Sequence, residues 1–374
     1  MILTCSETGI ADLAVNDAFR AHLAFPAPLS DRMDETFAAI RAEPDYRATP
    51  LLALPGLADR LGLGAVVCKD ESRRFGAGGV KALGAPHGLR VLLRQRGGGG
   101  PFVAVAATDG NHGLALAWAA RRQGGLARIY VGRDVDEVRL GRIRAEGAQV
   151  VVVDGTYDEA VLAAEAAALR NGALLVTDTD YDGDSAVCAA IMAGYGVLAE
   201  EAWQQGLSEA PPSHVFVQCG VGGVAGGVAA SLWRRMSPMV PRMVTVEPAS
   251  SACVLASLRA GAPTPVGGDL RTRMAGLACG RMSVPSWQIL SHTAFAGLAL
   301  DESIAETVQT ALVAGAWGDA PLATWDTGVA GLAGLVAAAS DDTCRRMLKL
   351  DRSSRILAIN TEGPPPELSL STRG

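Results

Sequence analysis

Short runs of β-branched and other apolar residues alternate along the chain with longer segments rich in alanine and leucine. The runs are apolar along their whole length, which predicts strands buried on both faces of a parallel sheet. Their alternation with helical segments is typical of βαβ units and predicts an α/β fold. The predicted strands are residues 66–69, 103–107, 128–131, 150–153, 174–177, 215–218, 243–246 and 355–359.

Helix boundaries are clearest over residues 156–170. Thr156 and Glu159 have the spacing of a capping box, and Asn171-Gly172 supplies a stop signal. The alanines between them suit close packing on a sheet. The segment before Arg47 reads as helical and irregular.

Two stretches rich in glycine or proline, residues 97–101 and 210–213, suggest where the chain passes between domains. We predict two three-layer α/β domains with mostly parallel sheets. The large domain comprises residues 1–95 and 208–374, and the small domain comprises residues 96–207.

Composition narrows the class of protein. The 374 residues are 49% hydrophobic and 19% charged, as in globular proteins. A net charge of -6 disfavours nucleic acid and anionic membranes as partners. The seven cysteines contain no CxxC pair, and neither a signal peptide nor an 18-residue apolar run is visible, so we expect a cytoplasmic protein that does not span a membrane.

A glycine loop, residues 220–227, follows one predicted strand and precedes a helix. Unshielded N–H groups at a helix N-terminus can hold a phosphate. The glycines could instead serve close packing. Gly220, Gly222 and Ala225, with Glu247 on the next strand, also fit a dinucleotide fingerprint and so a nicotinamide-dependent oxidoreductase.

Two further turns carry candidate chemistry. Lys81 follows a glycine run and is a candidate Schiff-base nucleophile, if burial and neighbouring cations lower its pKa; the alternative is a surface lysine. The turn Thr108-Asp109-Gly110-Asn111-His112-Gly113 links a strand to a helix and suits a carboxylate ligand. Its alternative is an ordinary helix cap formed by Asp109 or Asn111.

Alternating carboxylates from Asp178 to Asp184 follow the first half of a calcium-binding loop, but Ala189 stands where the bidentate glutamate belongs. The alternatives are a solvated turn or an active-site acid. The five histidines have no ligand spacing, so we expect no metal.

Taken together, these motifs resemble, in order, those of fold-type II pyridoxal-phosphate enzymes, and most nearly those of the diaminopropionate ammonia-lyases. The resemblance extends from about Arg47 to Gly363. The matching stretches are residues 69–72, 74–76, Lys81, 108–113, 178–179, 191–192, 194–195, 220–222, 274–280 and 361–363.

The resemblance implies a pyridoxal 5'-phosphate cofactor and a role for each matching residue. Lys81 is the Schiff-base lysine, and Asn111 holds the ring hydroxyl. Thr361 partners the pyridine nitrogen. Asp109 and Asp178 are catalytic acids or bases. The phosphate cradle comprises Gly220, Val221, Gly222, Gly223 and Val224, and the substrate contacts are Thr108, Asp109 and His112.

The implied reaction is α,β-elimination of ammonia from 2,3-diaminopropionate or a related β-substituted amino acid, giving a 2-oxo acid, in a homodimer. A β-replacement synthase or a dehydratase would share its steps as far as aminoacrylate, and a binding protein that has lost activity remains an alternative. Smaller residues at Ala77, Gly78 and Val80, with the cation Arg281, suggest a larger or more acidic substrate. Cys253 and Cys279 could approach each other, although two reduced thiols are favoured.

Overall fold

The computed structural model describes residues 8–20, 27–98, 100–108, 110–183 and 185–365. Its strands are β1 Ile10–Val15, β2 Leu51–Ala53, β3 Ala65–Asp70, β4 Val103–Ala107, β5 Leu126–Val131, β6 Gln149–Val152, β7 Leu174–Leu175, β8 His214–Gln218, β9 Arg242–Pro248, β10 Ala294–Leu300 and β11 Arg355–Asn360. Its α-helices are α1 Ala27–Arg41, α2 Pro55–Leu61, α3 Lys81–Gln95, α4 Asn111–Arg122, α5 Glu137–Ala145, α6 Tyr157–Asn171, α7 Ala186–Ala202, α8 Gly223–Met236, α9 Cys253–Ala260, α10 Val284–Thr293, α11 Glu302–Ala314, α12 Ala330–Ser340 and α13 Asp342–Leu348.

The strands form two sheets. A seven-stranded sheet has the order β1-β10-β9-β8-β11-β3-β2, and a four-stranded sheet has the order β6-β5-β4-β7. Only the edge pairs β1–β10 and β2–β3 are antiparallel among the described strands. The predicted α/β class with mostly parallel sheets is therefore confirmed.

The eight predicted strands all form, and the capping box of Thr156 and Glu159 is present at the start of α6, with Gly172 left-handed at its end. Three strands escaped prediction, β1, β2 and β10. The segment before Arg47 was expected to be helical and irregular, but it contains β1. Only Ile10 and Leu13 are buried in this edge strand, so its apolar signal is weak.

The sheet order determines where the functional loops meet. Strands β8, β11 and β3 are parallel neighbours, so the loops after them open at one edge of the seven-stranded sheet. Strands β4 and β7 are likewise parallel neighbours in the other sheet. The glycine loop follows β8, Lys81 follows β3, and the Thr108 turn follows β4.

One helical stretch among the described residues, Ala186–Leu207, is long and apolar enough to cross a membrane by length and composition. However, 83% of its apolar window is buried inside the protein. It contains α7, whose glycines allow close packing: a Cβ on Gly194 would lie 2.5 Å from the Leu83 carbonyl oxygen of α3. This helix is a core element of the fold.

A buried ion-pair network holds the segment between β3 and Lys81. The Arg74 guanidinium donates to Glu71 at 2.7 Å and to Glu201 of α7 at 2.7 Å, and Lys69 pairs with the same Glu201 carboxylate at 2.7 Å. Burial opposes the charge on Arg74, but Glu71 and Glu201 outweigh it and raise its pKa. The next residue, Phe75, stacks on Trp118 of α4 with ring centroids 5.7 Å apart. These contacts fix the start of the loop that leads to Lys81.

Two buried histidines make stability depend on pH. Burial lowers the pKa of His87 and of His214, each to about 4, so both are neutral in the folded chain near pH 6. Because the unfolded chain takes up these protons near pH 6.5, the free energy of unfolding should fall as pH decreases from about 6.5 to 4. The expected slope is about 1.4 kcal/mol per pH unit for each histidine.

Urea unfolding at a series of pH values measures this slope. His87→Gln and His214→Gln should each flatten it, whereas His292→Gln, at an exposed position, should leave it unchanged. An equal slope in all four proteins would contradict the assignment.

Candidate active site

A cavity lies where the carboxyl ends of the two sheets face each other. The seven-stranded sheet contributes the loops after β3, β8 and β11, and the four-stranded sheet contributes the loops after β4 and β7. The lining residues are Val80, Lys81, Ala107, Thr108, Gly110, Asn111, His112, Tyr157, Asp178, Gln218, Cys219, Gly220, Val221, Gly222, Gly223, Val224, Gly276, Leu277, Cys279, Thr327 and Thr361.

Lys81 lies in the cavity at the first turn of α3. Its Nζ donates to Asp178 Oδ2 at 2.6 Å and lies 5.5 Å from the Tyr195 ring centroid. Burial disfavours the ammonium, but the Asp178 carboxylate outweighs burial and raises the pKa of Lys81. The expectation of a pKa lowered by nearby cations is therefore wrong, because the neighbour is an anion.

Asp178 is the buried partner of this lysine. Burial alone would raise the pKa of its carboxyl, but the His112 and Lys81 side chains lower it to about 2. His112 Nε2 is 2.8 Å from the Val176 carbonyl oxygen, which can only accept, so Nε2 carries a hydrogen. His112 Nδ1 then lies 3.6 Å from Asp178 Oδ2. The carboxylate therefore stands between a lysine and an imidazole.

The turn after β4 presents hydrogen-bond donors to the same cavity. The Thr108 hydroxyl accepts the N–H groups of Gly110 at 2.9 Å and Gly113 at 3.2 Å, so among the described residues the Thr108 side chain holds this turn. The N–H groups of Asn111 and His112 donate to no described residue. They lie at the positive end of the 12-residue helix α4, where an anion is stabilised.

Glu362 holds the Asn111 side chain. Its carboxylate accepts a hydrogen bond from Asn111 Nδ2 and another, at 2.9 Å, from the backbone N–H of Thr327. Glu362 is buried, and it follows Thr361 at the end of β11. One amide hydrogen of Asn111 is occupied by this contact, and the other remains available in the cavity.

The glycine loop forms a cradle of unpaired donors. Backbone N–H groups from Gly220 to Val224 donate to no described residue, and α8 begins at Gly223. Gly222 has φ +96°, a conformation that residues with a Cβ rarely adopt. Five consecutive N–H groups at the start of a helix, without an acceptor among the described residues, are suited to an anion.

Comparison with known proteins identifies the family. The family model described as "Pyridoxal-phosphate dependent enzyme" matches residues 42–362. Diaminopropionate ammonia-lyase from Salmonella typhimurium is 34% identical over 358 residues, which cover 88% of each chain.

The chain belongs to the diaminopropionate ammonia-lyase family of pyridoxal-phosphate-dependent enzymes.

Solved structures agree. Diaminopropionate ammonia-lyase from Escherichia coli in complex with an aminoacrylate-PLP azomethine reaction intermediate superposes with a TM-score of 0.87 at 30% identity, covering 96% of this chain and 95% of that one. Threonine deaminase isoform 2 from Solanum lycopersicum, at 21% identity, has a TM-score of 0.74 over 100% of this chain and 98% of its own, and shares the fold.

The cavity fits the cofactor of this pyridoxal-phosphate family. The five unpaired N–H groups match a phosphate, and Lys81 offers an amine to an aldehyde. The Thr361 hydroxyl, which accepts Gln218 Nε2 at 2.8 Å, lines the same cavity. Of the chain's three lysines, Lys69 is locked in the buried network and Lys349 is exposed at the end of α13, so only Lys81 reaches the cavity.

Asp109 lies outside the described residues, as does Asp184. The other site residues predicted from the sequence all line the one cavity. The carboxylates of the acidic turn, residues 178–184, have different partners. Asp178 faces Lys81, whereas the Asp180 carboxylate accepts hydrogen bonds from the N–H groups of Gly183 and Ser185. No group of described residues has the arrangement of a metal site.

Glu247 rules out the nicotinamide alternative at this loop. Its side chain is fully buried, and burial raises the pKa of its carboxyl to about 8. Both oxygens accept N–H groups at the start of α9, from Val254 at 2.8 Å and Leu255 at 2.7 Å. It therefore caps a helix and is not available to a ribose.

Three further residues singled out from the sequence are Arg281, Cys253 and Cys279. The Arg281 guanidinium stacks 4.1 Å from the Tyr181 ring centroid, on an exposed side chain that does not line the cavity. Cys253 and Cys279 are both buried, and neither forms a disulfide with a described residue.

Sequence reasoning missed the roles of Gln218 and Glu362, which contact Thr361 and Asn111 respectively. Glu362 belongs to a matched motif, so the resemblance could have drawn attention to it. Gln218 stands out in the sequence as a polar residue at the end of an apolar run, but nothing there indicates its partner.

Gly222→Ala should weaken cofactor binding at least about tenfold. Its left-handed φ is strained for alanine by about 1–3 kcal/mol, and the new Cβ would lie 2.7 Å from Ser286 Cβ. Titration of the apoenzyme with pyridoxal phosphate measures the change, and circular dichroism checks folding. Gly223→Ala places its Cβ at an ordinary 3.6 Å from Tyr195 and should lose less affinity. Equal losses would refute the steric argument.

Proposed function

We propose that this protein is a pyridoxal-phosphate-dependent ammonia-lyase that converts 2,3-diaminopropionate and water into pyruvate and two molecules of ammonia. The observation that carries the proposal is the buried Asp178 carboxylate, 2.6 Å from the Lys81 amine. Once the amine is joined to the cofactor, this carboxylate needs another cationic partner, and the β-ammonium of a diamino acid would provide one.

Each cofactor contact is assigned to a residue of the cavity. Lys81 would hold the cofactor covalently, and the N–H groups from Gly220 to Val224 would bind its phosphate. Asn111 would donate its remaining amide hydrogen to the ring hydroxyl, and Thr361 would face the pyridine nitrogen. When bound, pyridoxal phosphate delocalises the electron pair left on Cα, which allows a β-substituent to leave.

The substrate contacts follow from the turn after β4. The N–H groups of Asn111 and His112, with the Thr108 hydroxyl, would bind the substrate carboxylate. Lys81 Nζ, once displaced, would take the Cα proton, with Asp109 as a second candidate base. Asp178 would stabilise the β-ammonium until it departs as ammonia.

The second candidate is a β-replacement synthase or a dehydratase that uses the same residues. The argument from Arg281 for a more acidic substrate fails, because this cation stacks on Tyr181 outside the cavity. The smaller residues at Ala77, Gly78 and Val80 keep a larger substrate as an alternative. We further propose a homodimer in the cytoplasm that takes neither nucleic acid nor membrane as a partner. Light scattering of the purified protein tests the dimer.

Product stoichiometry tests the activity. The holoenzyme is given 2,3-diaminopropionate, serine or an acidic β-substituted amino acid, with and without an added thiol. We expect two ammonia per pyruvate from 2,3-diaminopropionate, the highest kcat/KM for that substrate, and no effect of thiol. Consumption of thiol with loss of pyruvate would establish replacement instead, and a preference for the acidic substrate would overturn the substrate assignment.

A further inference from the structure

Gln218, the last residue of β8, is a buried amide in the wall of the cavity. It is 3% exposed. Its Nε2 lies 2.8 Å from Thr361 Oγ1, 3.1 Å from the Thr327 carbonyl oxygen and 3.0 Å from the Gly328 carbonyl oxygen. Three oxygens therefore surround the donor end of this side chain.

These neighbours fix which way the amide points. Carbonyl oxygens only accept hydrogen bonds, so the reversed amide would set its own oxygen against two others. The Gln218 oxygen instead lies at the first turn of α12, 3.0 Å from the place that a Cβ on Gly331 would occupy. This oxygen has no donor among the described residues, so the two carbonyl oxygens at the other end decide the orientation, and the nitrogen faces Thr361.

The direction of the Thr361 hydroxyl follows. Because Gln218 Nε2 is a donor, Oγ1 accepts from it and the hydroxyl hydrogen must point elsewhere. No described residue accepts that hydrogen, and Thr361 lines the cavity. The hydroxyl is thus available as a donor to a ligand.

We infer that Gln218 is a positioning residue that orients the Thr361 hydroxyl as a donor toward the pyridine nitrogen. This inference rests on the proposed placement of Thr361 at that nitrogen. A nitrogen that accepts a hydrogen bond has no proton of its own, so the ring withdraws fewer electrons than a pyridinium. A cofactor ring that withdraws electrons less strongly favours quick loss of a β-group over transamination.

The test replaces the amide and observes the ring nitrogen directly. Wild type and Gln218→Met, which has similar volume and no donor, are loaded with pyridine-¹⁵N cofactor, and the ¹⁵N resonance is followed from pH 6 to 9. We expect an unprotonated nitrogen throughout in wild type. In Gln218→Met the Thr327 and Gly328 carbonyls lose their donor and draw the Thr361 hydrogen away. The nitrogen pKa should then rise by at least about one unit, and kcat should fall about tenfold with KM nearly unchanged.

Gln309→Met makes the same chemical change on α11, outside the cavity, and should leave the resonance where it is in wild type. Thr361→Val tests the placement separately: it should move the resonance, and Thr361→Ser should restore it. A folded Gln218→Met holoenzyme with an unshifted resonance would overturn the role of Gln218 while Thr361 kept its place. An unshifted resonance in Thr361→Val would overturn the placement and the inference together.

Discussion

Lys81→Ala is expected to abolish turnover and to leave the cofactor bound without a covalent link to the chain. In the proposed function Lys81 supplies both the amine that joins the cofactor and a group that can accept the Cα proton, so kcat/KM should fall by about a thousandfold or more. The phosphate cradle does not involve this side chain, so cofactor should still bind. Borohydride reduction followed by peptide mass spectrometry measures the covalent link.

The small number of lysines makes this experiment clear. With three lysines in the chain and Lys69 enclosed by Glu201, the reduced label should appear on Lys81 alone in wild type. Lys349→Ala removes the exposed lysine and should keep both label and activity. A label that persists at full stoichiometry in Lys81→Ala would mean that another amine carries the cofactor.

Asp178→Asn should have two effects in opposite directions. Because the Asp178 carboxylate raises the pKa of Lys81, its removal lowers that pKa and increases the fraction of neutral amine at a given pH. Covalent loading of apoenzyme with pyridoxal phosphate should therefore extend to lower pH. Turnover of 2,3-diaminopropionate should nevertheless fall by about 10²–10⁴, the range for loss of a group that binds or moves a proton.

Stopped-flow absorbance across pH separates loading from turnover. Asp182→Asn, an exposed carboxylate in the same turn, should behave as wild type in both. If Asp178→Asn loaded only at higher pH than wild type, the carboxylate would not be stabilising the lysine ammonium as we argue.

Much of the fold was predictable because most of its strands have a recognisable sequence pattern. Uninterrupted apolar runs such as those of β8 and β11 leave little choice but a buried parallel strand. The edge strand β1 buries only two side chains, and β10 is rich in alanine and glycine, so neither has a distinctive period. The domain boundaries at residues 95 and 208 stay a prediction.

The site residues likewise include some that a local sequence pattern reveals and others that depend on contacts between distant parts of the chain. Lys81 and the glycine loop could be found because their chemistry needs particular residue types in a local pattern. The pairing of Lys81 with Asp178 could not be found in this way. The two residues are 97 positions apart in the chain, and their contact depends on how the two sheets face each other. The same holds for Glu362 and Gln218, whose partners come from other strands. The sign of the Lys81 pKa shift was misjudged for this reason.

The arrangement of the strands has a consequence for substrate choice. Lys81 follows β3, the glycine loop follows β8 and Thr361 follows β11, and these three strands are hydrogen-bonded neighbours in one sheet. The Thr108 turn follows β4 and Asp178 follows β7, which both belong to the other sheet. The groups that would hold the cofactor's phosphate and aldehyde carbon therefore share one sheet, whereas the groups that would bind the carboxylate and β-ammonium of the amino acid share the other. Among the residues assigned to the cofactor, Asn111 would contact the ring from that second sheet. Substrate choice could thus be altered by substitutions on the four-stranded sheet that leave the phosphate attachment untouched.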